Sequence, residues 1–302
     1  MTISNKPLLF AMPGNDEFAR LLAGRVGAEP GEMDIRQFPD GETYLRVRSD
    51  VEDRLAVVAS TLVQPDEKLA PLYFLGNNLK SLGAAHVCLA APYLAYMRQD
   101  KAFRPGEAVT SEYFAGLICS FADSIATVDT HLHRRESLSE IYSIPNLNAA
   151  AAGEISEWVR NNVRDPVIVG PDSESEQWVS EVAQMAGAPF VVLEKTRRGD
   201  RDVSVSAVEF DGPHHGRTPV LVDDIISTAR TMIETVHRLR ELDMAAPVCI
   251  GVHAVFAGEA YDELMGAGAA RVVTCNTIPH PTNEIDVSGL FVDFITGHVE
   301  ET

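Results

Sequence analysis

The run that decides the fold reads Val220-Leu221-Val222-Asp223-Asp224-Ile225-Ile226-Ser227-Thr228-Ala229-Arg230-Thr231. Its apolar first half is typical of a strand buried in a parallel sheet, and it predicts that Asp223 and Asp224 end that strand. Small hydroxylated residues then lead into a predicted helix. Because helix N-termini attract phosphate, and carboxylates bind ribose hydroxyls or magnesium, the run predicts a sugar-phosphate site. The structural alternative is that Ser227 or Thr228 only caps the helix.

Short apolar strands alternate with helical patterns along the chain. The predicted strands cover residues 55–60, 86–91, 125–128, 167–170, 190–193, 220–224, 248–256 and 271–275. The predicted helices cover residues 16–26, 66–82, 107–121, 150–162, 174–186, 228–242 and 259–265. This alternation predicts an α/β protein built of mainly parallel sheets flanked by helices. Ligands of such sheets bind beyond the carboxyl ends of the strands.

The middle of the chain predicts a domain boundary. Residues 143–149 are the least periodic stretch, and we place the boundary within it. The first predicted domain covers residues 1–146 and the second covers residues 147–302, each large enough for its own core. A second irregular region, residues 195–217, combines charged and turn-forming residues and predicts a mobile flap between two strands.

Composition and charge narrow the class of protein. The net charge is −19, and the sequence has no basic stripe that would offset it. Both observations argue against a nucleic-acid partner. The four cysteines are scattered, which is typical of thiols in a reducing compartment. Residues 1–9 do not resemble a signal peptide, and no apolar run approaches membrane-spanning length. The expected location is therefore the cytoplasm, away from membranes.

Four further segments accompany the run at residues 220–231. In chain order they are Phe38-Pro39-Asp40-Gly41-Glu42, a segment at 91–107 that contains Arg98-Gln99-Asp100-Lys101, Thr127-Val128-Asp129-Thr130-His131, and Asn276-Thr277-Ile278-Pro279-His280. Together the five segments resemble the signatures of the ribose-phosphate diphosphokinase family. The resemblance implies two phosphoribosyltransferase-like domains and transfer of a diphosphoryl group from MgATP to ribose 5-phosphate. It also implies a homodimer or a higher homo-oligomer, because the first segment reaches a neighbouring subunit in that family.

The resemblance also implies a role for individual residues. The residues expected to bind ATP are Phe38, Asp40, Glu42, Arg98 and Gln99, with the magnesium of MgATP held by His131 and a further Mg²⁺ or the ribose held by Asp172. Ribose 5-phosphate is expected to contact Asp223, Asp224, Ser227, Thr228 and Thr231. The expected catalytic residues are Lys195 and Arg197, at the start of the flap. His131 and His133 also form a His-x-His pair, for which a transition-metal site is the alternative interpretation.

The chain departs from the family pattern at two places. Ala229 and Arg230 replace two glycines, so either the loop differs in shape or the Arg230 guanidinium turns to the phosphate or to solvent. Ser173-Glu174-Ser175-Glu176 follow Asp172, a segment more acidic and less rich in glycine than the family usually has there. These departures keep open a non-catalytic regulatory homologue that binds nucleotide at a dimer interface. A phosphoribosyltransferase is the second rival function, although such an enzyme has no reason to keep the ATP segments of the first half.

Overall fold

The computed structural model describes residues 6–132, 134–171, 175–198, 202–206, 214 and 216–300. Packing divides the chain into two compact units. The first extends to Ala150 and takes in the chain again from Val287 onward, and the second is Ala151–Asp286. This division falls four residues beyond the predicted boundary at 146/147, and it assigns the last residues of the chain to the first unit.

The first unit contains a six-stranded parallel sheet and a separate antiparallel hairpin. Its elements are β1 (Leu8–Ala11), α1 (Asp16–Val26), β2 (Glu29–Pro30), β3 (Met33–Gln37), β4 (Thr43–Val47), β5 (Leu55–Ala59), α2 (Asp66–Ser81), β6 (His86–Ala90), α3 (Thr110–Phe121), β7 (Ser124–Val128), β8 (Asn146–Ala149) and, near the C-terminus, α8 (Val292–Glu300). The strand order is β2-β1-β5-β6-β7-β8, and β3 pairs with β4 in the hairpin.

The second unit repeats this plan. Its elements are α4 (Ala152–Asn162), β9 (Pro166–Gly170), α5 (Glu176–Ala186), β10 (Phe190–Val192), β11 (Glu194–Arg198), β12 (Asp202–Ser206), β13 (Thr218–Ile226), α6 (Arg230–Glu241), β14 (Val248–Ala254), α7 (Ala260–Ala267), β15 (Arg271–Cys275) and β16 (Asn283–Ile285). The parallel sheet has the order β10-β9-β13-β14-β15-β16, and β11 pairs with β12 as a hairpin. The prediction of parallel sheets flanked by helices is confirmed.

Sequence explains why these elements form. Every residue of β5 is buried, as expected for a central parallel strand covered on both faces. Helix α1 carries Asp16 and Glu17 in its first turn, where they interact favourably with the helix dipole. It ends at Gly27, whose φ of 67° is the left-handed conformation that glycine adopts without strain. Its apolar face buries Phe18 and Leu22 against the core.

Several predicted bounds were wrong. The predicted irregular stretch at 143–149 contains β8, an edge strand that pairs with β7. Strand β13 extends to Ile226, two residues beyond its predicted end. Strands β1 and β16 and helix α8 were not predicted. The predicted flap begins as the β11–β12 hairpin, and most of its second half lies outside the described residues.

In the described part of the chain, no helix is both long and apolar enough to cross a membrane. All four cysteines are free thiols. Burial raises the pKa of Cys88 to about 11 and the pKa of Cys249 to about 12. Both groups therefore stay protonated at neutral pH, and thiolate chemistry is not expected from either.

Candidate functional site

Two carboxylates lie near the carboxyl end of β13. Asp223 faces Gly251 of β14 in the sheet register, and the next registered pair is Ile225 with His253. The N–H of Asp224 donates to Oδ1 of Asp223 at 3.0 Å. Both acids are half-buried. They precede the strand end by two and three residues, rather than forming its end as predicted.

The loop that follows β13 is held by the loop after β14. The N–H of Phe256 donates to the carbonyl of Ile226 at 2.8 Å, and the N–H of Ala257 donates to the carbonyl of Ser227 at 3.0 Å. Phe256 adopts a φ of 35°, an uncommon value for a bulky residue. Two main-chain hydrogen bonds from the loop after β14 therefore hold the backbone at the start of the candidate phosphate loop.

Ala229 occupies the N-cap position of α6 with φ 54° and ψ 5°. This left-handed conformation is the one that glycine adopts most readily, so the alanine keeps the conformation that its glycine counterpart would allow. Within the described residues, no side chain caps the helix, and the alternative in which Ser227 or Thr228 serves as the N-cap is wrong. Thr228 and Arg230 are exposed, while Thr231 is half-buried.

Three further polar side chains, those of His253, Thr277 and His280, lie on or after the strands that follow β13. The Nδ1 of buried His253 lies 2.9 Å from Oγ1 of Thr277, which donates to the carbonyl of Val252 at 2.8 Å. His280 packs its ring 4.6 Å from the ring of Phe256, and burial lowers the pKa of His280. No role for His253 was predicted from the sequence, although a histidine inside the apolar strand at 248–256 indicates a buried, hydrogen-bonded side chain.

The hairpin of β3 and β4 carries the predicted adenine residues at its tip. The N–H of Phe38 donates to the carbonyl of Glu42 at 2.7 Å, and Gly41, with φ 91°, makes the turn. The N–H of Glu42 donates to Oδ1 of Asp40 at 3.3 Å. The Arg36 guanidinium lies 4.7 Å from the centre of the Phe38 ring. Phe38 is nevertheless 39% exposed, so part of its ring is open to a ligand.

The predicted phosphate-binding loop follows β6. Arg98 is exposed, whereas Gln99 is half-buried and tied to the start of α3. The backbone carbonyl of Gln99 accepts the N–H of Ser111 at 3.3 Å, and its side-chain Oε1 accepts the hydroxyl of Thr110 at the same distance. Among the described residues, no acceptor is bonded to the side-chain NH₂ of Gln99.

His131 follows the adjacent strand β7, so its loop and the Arg98 loop lie at the same edge of the sheet. The N–H of Asp129 donates to the carbonyl of Ala149, and the N–H of Thr130 donates to Oδ1 of Asn148, both at 2.8 Å. Asp129 adopts a left-handed φ of 37°. These bonds to β8 shape the turn that presents half-buried His131.

Four predicted positions are described only in part or not at all. Asp172 and His133 lie outside the described residues, and so does any test of the His-x-His alternative. The backbones of Lys195 and Arg197 belong to β11, where they pair with Val205 and Val203 of β12. Their side chains are outside the description. Among described residues, no three His, Cys, Asp or Glu side chains converge as a metal-binding group would.

A cavity of about 320 Å³ lies beside the turn end of the β3–β4 hairpin. Arg36, Gln37 and Thr43 of the hairpin line it together with Lys68 of α2. Burial lowers the pKa of Lys68, and its Nζ donates to the carbonyl of Thr61 at 2.9 Å. The sequence did not predict this cavity, because its walls come from segments that meet only in the folded chain.

Two family models match the chain in succession. The model described as the N-terminal domain of ribose phosphate pyrophosphokinase matches residues 8–121, and the phosphoribosyl transferase domain model matches residues 137–290. These matches agree with the expected pair of phosphoribosyltransferase-like domains.

Individual relatives cover most of the chain. The ribose-phosphate pyrophosphokinase of Methanothermobacter thermautotrophicus is 35% identical over 262 residues, which cover 86% of this chain and 90% of that protein. The protein of the same name from Methanopyrus kandleri is 31% identical over 274 residues, 90% of this chain and 92% of that protein. The crystal structure of phosphoribosylpyrophosphate synthetase from Mycobacterium smegmatis superposes with a TM-score of 0.82 at 25% identity, covering 98% of this chain and all of that one.

Proposed function

Because the chain belongs to the ribose-phosphate pyrophosphokinase family, we propose that it transfers the diphosphoryl group of MgATP to ribose 5-phosphate. The anomeric hydroxyl oxygen attacks the β-phosphorus and releases its proton, while the bond from that phosphorus to the bridging oxygen of the α-phosphate breaks and this oxygen leaves with AMP. The products are 5-phosphoribosyl 1-diphosphate and AMP. The observation that carries the proposal is the turn after the β13 carboxylates, in which Ala229 has left-handed backbone angles and α6 begins at the next residue.

The second unit supplies the sugar-phosphate residues in this proposal. The first N–H groups of α6 have no side-chain cap among the described residues, so they can donate hydrogen bonds to a phosphate. The hydroxyls of Ser227, Thr228 and Thr231 add further donors. Asp223 and Asp224 accept hydrogen bonds from the ribose hydroxyls.

The first unit supplies the nucleotide residues. The exposed part of the Phe38 ring stacks on adenine, and the carboxylates of Asp40 and Glu42 accept from its amino group. Exposed Arg98 binds phosphate oxygens through its planar guanidinium, and the NH₂ group of Gln99 donates to the nucleotide. A phosphoribosyltransferase would use the loop after β13 but has no need of this nucleotide set, which favours the diphosphokinase.

Catalysis in this scheme needs alignment and charge neutralisation rather than a covalent nucleophile. Lys195 and Arg197 neutralise the negative charge on the oxygens of the passing group. Both are on β11, whose pairing with β12 gives the two residues a common hairpin support.

Magnesium fits the donor set of the proposed site. His131 would hold the magnesium of MgATP, Asp172 would hold a second Mg²⁺ or the ribose hydroxyls, and Asp223 or Asp224 can add the hard oxygen ligands that magnesium prefers. An ion carried by nucleotide phosphates needs only one or two protein ligands, so the lack of a three-residue cluster among the described residues is compatible with this role. When bound, Mg²⁺ offsets the charge of the phosphate oxygens.

Assembly as a homodimer or a higher homo-oligomer, and a cytoplasmic location, complete the proposal. If the β3–β4 hairpin completes a neighbour's site, an Asp40→Ala/Glu42→Ala protein mixed with a Lys195→Ala protein recovers activity, because some hybrids contain one intact site. Absence of recovery after verified subunit exchange means that each chain holds its own complete site.

One assay tests the proposed reaction against its rivals. The protein is incubated with MgATP and ribose 5-phosphate, and AMP formation is followed. The diphosphokinase forms AMP only when both substrates are present. A phosphoribosyltransferase forms none, and a regulatory homologue binds ATP in calorimetry without turnover. Formation of no AMP overturns the proposal.

A further inference from the structure

Asp100 follows the predicted ATP residues Arg98 and Gln99 directly, and its side chain is almost buried. Only 7% of that side chain is exposed. Nη1 of Arg134 donates to both of its carboxylate oxygens, at 2.8 Å to Oδ1 and 3.1 Å to Oδ2. A buried carboxylate is unfavourable without a charged or hydrogen-bonding partner, so Asp100 depends on Arg134 for its place.

Arg134 reaches the same loop at a second point. Its guanidinium carbon lies 5.3 Å from the centre of the Phe103 ring, and Nζ of Lys101 lies 4.8 Å from that centre. Oε2 of Glu107 accepts the N–H of Phe103 at 2.7 Å, which closes the far end of the loop. One arginine therefore contacts the loop both directly after Gln99 and at its middle.

The arginine itself belongs to a different loop. Arg134 stands three residues after His131, in the segment that follows β7, whereas Asp100 follows β6. The Arg134–Asp100 pair thus joins the two loops that carry the proposed nucleotide residues of this sheet edge. The next residue in the chain, Arg135, pairs instead with Glu112 of α3 at 3.2 Å, so Arg134 and Arg135 have separate contacts.

We infer that Arg134 is a positioning residue for MgATP: it holds the loop of Arg98 and Gln99 in register with the loop of His131. This inference rests on the proposed function, since it concerns the nucleotide used in that reaction. Arg134 need not touch the nucleotide. Its loss should change nucleotide affinity while the sugar-phosphate residues, which belong to the second unit, keep theirs.

The test uses the full chain with Arg134→Ala, Arg134→Lys and Asp100→Asn, and with Arg217→Ala as the matched control. Arg217 also pairs with an aspartate, Asp165 at 2.6 Å, but at the other end of β13 from the proposed site. We expect Arg134→Ala to raise the KM for MgATP by about tenfold to a hundredfold, because small misplacements of binding groups have effects of this size. The KM for ribose 5-phosphate should stay unchanged, and Arg134→Lys should recover part of the loss. The control should leave both KM values unchanged.

Further measurements separate the possible failures. Calorimetric titration of MgATP without sugar phosphate measures the same loss without needing turnover, so absence of AMP in the wild type overturns only the proposed function. An Arg134→Ala protein that binds MgATP as the wild type does overturns the inference. If Arg134→Ala lowers the melting temperature and changes the KM values for MgATP and ribose 5-phosphate equally, the Arg134–Asp100 pair has only a structural role, and this result also overturns the inference. If Arg134→Ala does not fold, Arg134→Gln takes its place. The double variant with Asp100→Asn should bind MgATP no more weakly than either single variant, because both substitutions break the same pair.

Discussion

Adding one methyl group at Gly251 tests how tightly the strand beneath the candidate phosphate loop is packed. Gly251 lies in β14 opposite Asp223. A Cβ atom at this position would lie 2.5 Å from Cγ1 and 2.6 Å from Cδ1 of Ile226. Ile226 is 1% exposed, so its side chain has no solvent into which it can turn. The strain should therefore shift the backbone that leads into Ser227.

The expected magnitude follows from this overlap. Overpacking a well-filled core costs about 1–3 kcal/mol, so Gly251→Ala should lower the free energy of unfolding by that amount. Gly266→Ala is the matched control, because Gly266 lies inside α7 and a Cβ there meets nothing within 4 Å. An alanine in a helix interior is more stable than glycine by about 0.5–1 kcal/mol, so the control should stabilise the protein.

The assay is denaturant unfolding of both variants, followed by steady-state kinetics. We further expect Gly251→Ala to raise the KM for ribose 5-phosphate and to leave the KM for MgATP unchanged. Equal stabilities for Gly251→Ala and the wild type would refute the packing argument. A large stability loss with an unchanged KM would refute its link to the loop.

Three other outcomes are expected. Lys195→Ala should lower turnover about a hundredfold, equivalent to about 3 kcal/mol, with little change in the dissociation constant for ATP, as steady-state kinetics and titration will measure. Asp224→Ala should raise the dissociation constant for ribose 5-phosphate about tenfold to a hundredfold in calorimetry, and unchanged affinity would remove the carboxylate from the site. Burial lowers the pKa of His280 below its ordinary 6.5, so the unfolded chain binds its proton more readily, and the free energy of unfolding should fall as pH drops through and below 6.5. His280→Gln should flatten this dependence in denaturant titrations at several pH values, and an unchanged slope would contradict the assignment.

Elements whose own composition identifies them could be predicted from sequence. Helix α1 was predicted with its observed bounds, because acidic residues open it and Gly27 closes it. Strand β8 was missed because its sequence, Asn-Leu-Asn-Ala, is not apolar, and only pairing with β7 makes it a strand. The β13 carboxylates were placed at the correct end of the correct sheet, but Ile225 and Ile226 extend the strand past them.

The candidate site shows the same division. Its residue types could be read from motifs, since each motif is local in sequence. The contacts that position them could not, because they join distant segments: Phe256 to Ile226, and Arg134 to Asp100. The roles assigned to the motif residues stay predictions until the variants above are measured.

The return of the chain to its first unit has a consequence for synthesis. Phe18 of α1 packs edge-on against Phe291 at 5.4 Å, and Nε of Arg25 donates to Oγ of Ser288 at 2.9 Å. The ribosome makes all of Ala151–Asp286 before it reaches these partners. At about 5–20 residues per second this interval lasts roughly 7–27 s, during which the α1 surface around Phe18 lacks its final cover. Nascent chains stalled before residue 287 should therefore be more sensitive to proteolysis near α1, and more dependent on chaperones, than chains released after residue 300.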